Sequence, residues 1–219
     1  CEEIKNKLEF PVFVKPAASG SSIGITKVRK PGDLEDALAL ALHFSSRAIV
    51  EESVENLMDV TCCVLGNDEP RPSLLQESVF DGELLSYEEK YLKEGGAQFG
   101  KAQNQIVIPA RLDETTTQEI QDLAVRIYKL FGCSGIARVD FLYDRQTRKY
   151  YVNELNTLPG TLYHHLWKKS GVELPELLKR LLSLAQEKHF SKRKITSTFE
   201  SDLLRQTHSA KLGLKKDRG

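Results

Sequence analysis

GCSGIARVDF at Gly132–Phe141 and NELNTLPG at Asn153–Gly160 decide how this chain folds. Ile136–Tyr143 and Lys149–Glu154 read as strands joined by a turn at Asp144–Arg148. Successive strand side chains point to opposite faces, so Arg138 and Asp140 share one face and Val139 and Phe141 the other. Glu154 and Asn156 share a face by the same rule. If the strands are neighbours, Asp140, Glu154 and Asn156 converge. Two carboxylates and an amide carbonyl are hard oxygen donors, suited to holding Mg²⁺ against substrate phosphates. Arg138 beside them is placed to clamp a transferring phosphoryl group. On these residues alone, a solvated face with Arg138 paired to the carboxylates explains the pattern equally well. In Thr157-Leu158-Pro159-Gly160 the glycine permits close backbone approach to a ligand. An N–H there can face a developing oxyanion. By itself the segment is a turn.

Upstream, Phe10–Lys15 (FPVFVK) reads as a strand, Ala17–Gly24 (AASGSSIG) as a small-residue loop, and Ile25–Val28 as extended chain. The three make a hairpin. Lys15 at the strand end offers a point charge to phosphate, and the glycines let backbone N–H groups close on phosphate oxygens. G-K-[S/T] is absent, so this is not a Walker A loop. Taken alone, the loop is an ordinary hairpin turn at least as readily as a phosphate cradle.

Gly32–Phe44 reads as a helix with Asp33 as N-cap and Leu34, Leu38, Ala41 and Leu42 on one face. Ala48–Glu51 is expected as a short buried strand. Asp59–Gly66 and Ser73–Phe80 are expected as further strands, with a turn at Gly66-Asn67-Asp68. The polar, Gly-rich Asp81–Gln105 is a loop long enough to carry function or be disordered. Glu114–Phe131 is the clearest helix, with Ile120, Leu123, Ala124, Ile127 and Leu130 periodic and Gly132 as its stop. Leu174–Lys188 closes the body as an amphipathic helix, and partial disorder is expected over Ser191–Gly219.

The chain has 219 residues, 40% apolar and 28% charged, which is soluble globular usage. No apolar run approaches the roughly 18 residues that span a bilayer. No secretory signal opens the chain. It starts at Cys1 without Met and reads as a fragment or a processed product. Cys1, Cys62, Cys63 and Cys133 show no C-x-x-C spacing and read as reduced, buried thiols of a cytosol-like compartment. Net charge is zero, but nine bases face three acids from Lys188 onward, leaving the body at −6. An acidic body argues against nucleic acid as main partner. The basic tail reads as a solvated arm or a weak docking segment.

Together, FVKP-x3-GSS-x-G at Phe13–Gly24, YEEKY at Tyr87–Tyr91 and the two stretches above resemble D-alanine–D-alanine ligases, in order, from about Phe10 to Gln186. The resemblance implies an α+β ATP-grasp fold, with mixed or antiparallel sheets flanked by helices and without the family's N-terminal α/β domain. Residues 1–48 would be part of the central subdomain, 49–190 the catalytic subdomain, and 191–219 a flexible basic tail. The implied reaction is cytoplasmic and serves peptidoglycan biosynthesis. ATP phosphorylates one amino acid's carboxylate, a second amine attacks the acyl phosphate through a tetrahedral intermediate, and ADP and phosphate leave.

Position by position, the resemblance makes Lys15 a phosphate contact and Ser21 and Ser22 the loop closing over the triphosphate, Ser21 beside the chemistry. Glu51, Glu52 and Val54 fall where the hinge holds adenine, and Asp59 where a glutamate binds ribose. Lys90 matches a lid lysine that reaches the phosphates, with Tyr91 beside it near the substrate. Asp140, Glu154 and Asn156 match ligands of Mg²⁺ (or Mn²⁺). Arg138 and the Gly160 backbone match groups that stabilise the reacting centre. The implied partners are small amino acids and, as is common in the family, a second copy in a homodimer, with neither nucleic acid nor membrane.

Two departures stand out. A second phosphate-contacting lysine and the N-terminal domain are missing. After Gly160 the loop reads about four residues short and lacks the family's substrate-contacting serine. His164 and His165 either replace it as carboxylate donors or fill the surface of a shortened loop. A ligase for other amino acids, or a nucleotide-binding protein without turnover, therefore stays open beside the dipeptide ligase.

Overall fold

A computed structural model describes residues 1–18, 23–79 and 105–193. The chain opens with helix α1 (Glu2–Lys7) and then strand β1 (Val12–Pro16). Strand β1 pairs antiparallel with β2 (Thr26–Val28) on one side and with β3 (Ala48–Glu52) on the other. The hairpin expected around the small-residue loop is present. Gly24, at its end, has φ +76, and a Cβ there would lie 2.6 Å from the Phe44 ring and 2.9 Å from Pro16. Helix α2 (Leu34–Phe44) covers one face of this sheet, packing Leu34, Ala37 and Ala41 on Val12, Val14 and Val28.

Some sequence expectations change here. Asp33 ends a 3-10 turn (Pro31–Asp33), and its side chain makes no capping hydrogen bond. Leu42 is exposed rather than buried. At 3.6 residues per turn, a stripe centred on Leu34, Ala37 and Ala41 leaves Leu42 a quarter-turn off its axis. Strand β3 lies at the edge of the sheet with Ile49 exposed, so it is only half-buried.

The larger sheet has the order β6-β5-β4-β7-β8, antiparallel throughout. Its strands are β4 (Leu57–Gly66), β5 (Arg71–Val79), β6 (Gln105–Val107), β7 (Gly135–Asp144) and β8 (Tyr150–Asn156). Alternation sends Val60, Cys62, Val64, Val139 and Phe141 to one face, under helix α3 (Glu114–Leu130). The opposite face sends Cys63, Leu65 and Ile136 under helices α4 (His164–Lys169) and α5 (Leu174–Arg193), through Leu166, Trp167 and Leu177. The adjacent cysteines thus divide between two cores. All four cysteines are free, but Cys1 is exposed and Cys133 half-buried, against the expectation that all are buried.

Helix α3 is capped at both ends. The Asp113 carboxylate accepts from the Thr116 N–H at 2.9 Å. At the other end, Cys133 N–H donates to Tyr128 O and Gly132 N–H to Lys129 O, with Gly132 at φ +62. This is the paired closure that a left-handed glycine allows. Leu130, expected in the core stripe, is exposed. Tyr128 fills the far flank of the stripe instead, and its hydroxyl donates to Gly66 O at 2.6 Å.

Helix α5 runs five residues past Lys188. The remaining tail, and the expected loop up to residue 104, lie outside the described residues. Among the described residues no helix is long and apolar enough to cross a membrane.

Candidate active site

The open half of the α4–α5 face of the large sheet carries a polar row across four strands. Register places Thr61 of β4 opposite both Gln76 of β5 and Asp140 of β7, and Asp140 opposite Glu154 of β8. Arg138 and Asn156 face each other one step along. A bulge sets this alignment. Asp140 pairs with Glu154 but Phe141 pairs with Val152, so Asn153 is the extra residue.

Arg138 joins the row's acids. Its Nε donates to Asp140 Oδ2 at 2.8 Å and its Nη2 to Glu154 Oε1 at 3.2 Å. Nη1 donates to the Tyr163 hydroxyl at 3.1 Å. The Thr61 hydroxyl donates to Asp140 Oδ1 at 2.9 Å. Burial pushes the Asp140 carboxyl up to about 6, while Arg138 pulls it down and Asp59 adds repulsion. Burial alone would disfavour the Arg138 charge, yet Asp140 before it, with Tyr163 and Glu154, raises its pKa. Glu154 keeps about half its side chain in solvent, so the row is closed at Asp140 and open at Glu154.

Among the described residues no three of His, Cys, Asp and Glu cluster as a metal site. The donors that do meet here are two carboxylates with the Asn156 amide one register step away. An all-oxygen set of this kind fits Mg²⁺ better than a softer ion.

After Gly160 the backbone does something unusual. Thr161, Leu162 and Tyr163 all lie in the left-handed region, at φ 51, 54 and 49. For non-glycine residues this costs roughly 1–2 kcal/mol each. The turn leads into α4 and brings Tyr163 to Arg138, while His165 Nε2 lies 2.7 Å from Gln76 Oε1. Burial first, then His164, lowers the His165 pKa. His165 is half-buried at the end of the polar row, whereas His164 is exposed.

A second feature lies where the two sheets meet. Glu51, Glu52, Ser53 and Val54 form one wall of a cleft of about 300 Å³, and Leu142, Tyr151 and Asn153 are among the residues opposite. Lys15 points away from α2 toward this junction. Its ammonium pairs with Glu51 and donates to Asn153 Oδ1 at 3.3 Å. Lys15 thus links two cleft-lining residues, Glu51 of the small sheet and Asn153 of the large one.

The protein-family model described as D-ala D-ala ligase C-terminus matches residues 1–183. The chain belongs to this family. It is 42% identical over 196 residues to a D-alanine–D-alanine ligase of Caldicellulosiruptor bescii, covering 88% of this chain and 51% of the relative. It is 38% identical over 192 residues to one of Acetivibrio thermocellus, covering 86% and 49%. Among solved structures it resembles the VanG D-Ala:D-Ser ligase from Enterococcus faecalis, with TM-score 0.69, 35% identity and 84% and 52% coverage. It also resembles the D-alanine–D-alanine ligase from Coxiella burnetii, with TM-score 0.70, 28% identity and 88% and 49% coverage. The chain spans about half the length of these relatives. The α+β ATP-grasp fold expected from the motifs is the fold of these ligases, with antiparallel sheets flanked by helices.

Of the residues singled out by ligase-family motifs, the structure brings Arg138, Asp140 and Glu154 into contact, with Asn156 alongside. Glu51, Glu52 and Val54 share the cleft, and Lys15 reaches its edge. Asp59 stands two residues before Thr61 on the same face of β4, near enough to repel Asp140. Gly160 opens the left-handed turn, and a Cβ there would meet nothing within 4 Å, so packing does not demand a glycine. Ser21, Ser22, Lys90 and Tyr91 lie outside the described residues. Sequence reasoning missed Thr61, Gln76, Asn153 and Tyr163. A signal existed for Thr61, a polar residue in step with Asp59 on a largely apolar strand.

Proposed function

We propose that this chain is the ATP-binding and catalytic part of an ATP-dependent carboxylate–amine ligase that makes a D-alanyl-D-alanine-type dipeptide through an acyl phosphate, releasing ADP and phosphate. The observation that carries the reading is Arg138 held between Asp140 and Glu154, on the large sheet that also walls the intersheet cleft. The family's name for matched relatives supports the substrate class. In this reading the product serves peptidoglycan synthesis in the cytoplasm.

Glu51, Glu52 and Val54 hold the adenine in the cleft, and Asp59 takes the ribose hydroxyls. Lys15 leaves Asn153 and Glu51 for a phosphate oxygen, a point charge exchanging one anion for another. Asp140, Glu154 and Asn156 would hold Mg²⁺, which would neutralise phosphate charge. Arg138 faces the equatorial oxygens of the transferring phosphoryl, where preorganised positive charge acts without rearrangement. The Gly160 N–H then donates to the oxyanion of the tetrahedral intermediate. Ser21, Ser22 and Lys90 close over the triphosphate, and Tyr91 and His165 contact the amino acids. The small sheet and the large sheet are the two ATP-grasp subdomains; because β3 pairs with β1, the division falls between β3 and β4, a few residues after the expected boundary at 48 and 49.

A second reading keeps the chemistry and changes the amine. The left-handed turn Thr161–Tyr163 and the half-buried His165 reshape the wall expected to meet the second substrate. One solved relative is described as a D-Ala:D-Ser ligase. ADP release from Mg-ATP by the full-length protein, with D-alanine set against other amino acids, separates the readings. Release with D-alanine alone supports the dipeptide ligase. Release with another amine supports the second reading, and no release with any amino acid refutes both.

A further inference from the structure

We propose that Tyr163 is a positioning residue that fixes the plane of the Arg138 guanidinium at the reacting centre. The inference rests on the ligase reading for its kinetic consequence, and on geometry alone for the contact itself. Arg138 has one edge on acid: Nε and Nη2 both lie within 2.8 Å of Asp140 Oδ2. Nη2 also reaches Glu154 Oε1 at 3.2 Å, but that side chain is more than half in solvent, so the acids grip Arg138 firmly only at Asp140. Nη1 is the remaining lever, and its partner is the Tyr163 hydroxyl at 3.1 Å. The guanidinium carbon also sits 5.1 Å from the Tyr163 ring centroid, within range of a cation–π attraction.

Tyr163 is itself anchored from below. Its ring packs against the cluster of Cys63, Leu65, Ile136, Leu166, Trp167 and Leu177. Its backbone stands in the left-handed region, third in a run of three non-glycine residues. Such strain persists only where the surroundings hold it, and it concentrates at functional sites. Here the strained turn delivers the side chain that accepts from Arg138 Nη1. A group that stabilises a transition state must be held in place before the charge develops, and a misplacement of about 1 Å costs about a hundredfold in rate. The Tyr163 contact supplies that constraint.

The test uses the full-length protein. Tyr163→Phe keeps the ring and removes the acceptor; Tyr163→Leu removes both. We expect kcat to fall about tenfold in the first and about a hundredfold in the second. KM for ATP should stay within about twofold, because ATP-binding groups are untouched. In an Arg138→Lys background, Tyr163→Phe should have no further effect. Independently of turnover, the Arg138 Nε–H resonance, assigned by its loss in Arg138→Lys, should exchange with solvent faster in both Tyr163 variants.

Unchanged kcat in Tyr163→Phe, or an equal loss in the Arg138→Lys background, overturns the proposal. So does an unchanged exchange rate. An inactive wild type would sink the ligase reading instead, and the exchange measurement would still decide whether Tyr163 holds Arg138.

Discussion

Replacing Glu77 with glutamine preserves the shape of a side chain with no solvent exposure and removes its charge. Its carboxylate accepts from Arg111 Nε at 2.9 Å, Arg111 Nη2 at 2.6 Å and Arg145 Nη2 at 2.9 Å, with the Arg111 backbone N–H at 3.3 Å. These bonds tie β5 to the segment before α3 and to the β7–β8 turn. Glutamine must turn an amide N–H toward a guanidinium, losing at least one charge-assisted bond. Breaking a fully buried pair costs about 3–5 kcal/mol. Both guanidiniums keep about half their surface in water and recover hydration, so the cost falls below that range, to about 2–3 kcal/mol at pH 7.

Urea unfolding followed by the fluorescence of Trp167, the chain's single tryptophan, reads this directly. At an m-value of about 2 kcal/mol/M the midpoint should drop by about 1–1.5 M. The effect should also depend on pH. The Arg111 hydrogen bond, ahead of the other influences, lowers the Glu77 pKa. A carboxyl with a depressed folded pKa stabilises fully above its unfolded value, near about 4.3, and loses that contribution as pH falls through the folded one. Wild type and Glu77→Gln should therefore converge only in strong acid. A midpoint shift below about 0.3 M at pH 7, or a difference that persists unchanged in acid, would refute the reasoning.

Glu154→Gln removes one of two paired carboxylates while leaving the core untouched, so turnover should fall by orders of magnitude with the melting temperature within a few degrees. Unchanged turnover in a folded protein takes Glu154 out of the metal set. Lys15→Ala should weaken ATP binding at least tenfold by titration calorimetry, and unaltered nucleotide affinity would make the lysine purely structural. Gly24→Ala places a methyl 2.6 Å from the Phe44 ring at φ +76, so about 1–3 kcal/mol of stability should be lost in urea unfolding.

Strand alternation alone assigned Arg138, Asp140, Glu154 and Asn156 to their faces, because a period of two is local information. Their alignment was not legible, since it depends on the bulge at Asn153, which belongs to a pair of strands rather than to either one. Helix periods located α2 and α3 but not the centres of their buried stripes. Leu42 and Leu130 were misplaced because packing depth is set by the sheet beneath. Tyr163 was invisible for a related reason. Only three-dimensional closure shows a left-handed turn in Thr161-Leu162-Tyr163, a run without glycine. Thr61 meets Asp140, and Gln76 stands opposite Thr61, across strands whose order no local pattern encodes.

Cys62 and Cys63 lie one peptide bond apart, yet one is sealed under α3 and the other under α4 and α5. Burial pushes the Cys62 thiol up to about 12 and Cys63 higher still, so neither reacts while its own layer is closed. Alkylation of each sulfur in the native chain, resolved by peptide mass, becomes a clock for the loosening of its own side of the sheet. One strand therefore carries two separate gauges of breathing, and nucleotide that quiets only the Cys63 clock would reveal a molecule stiffened on a single side.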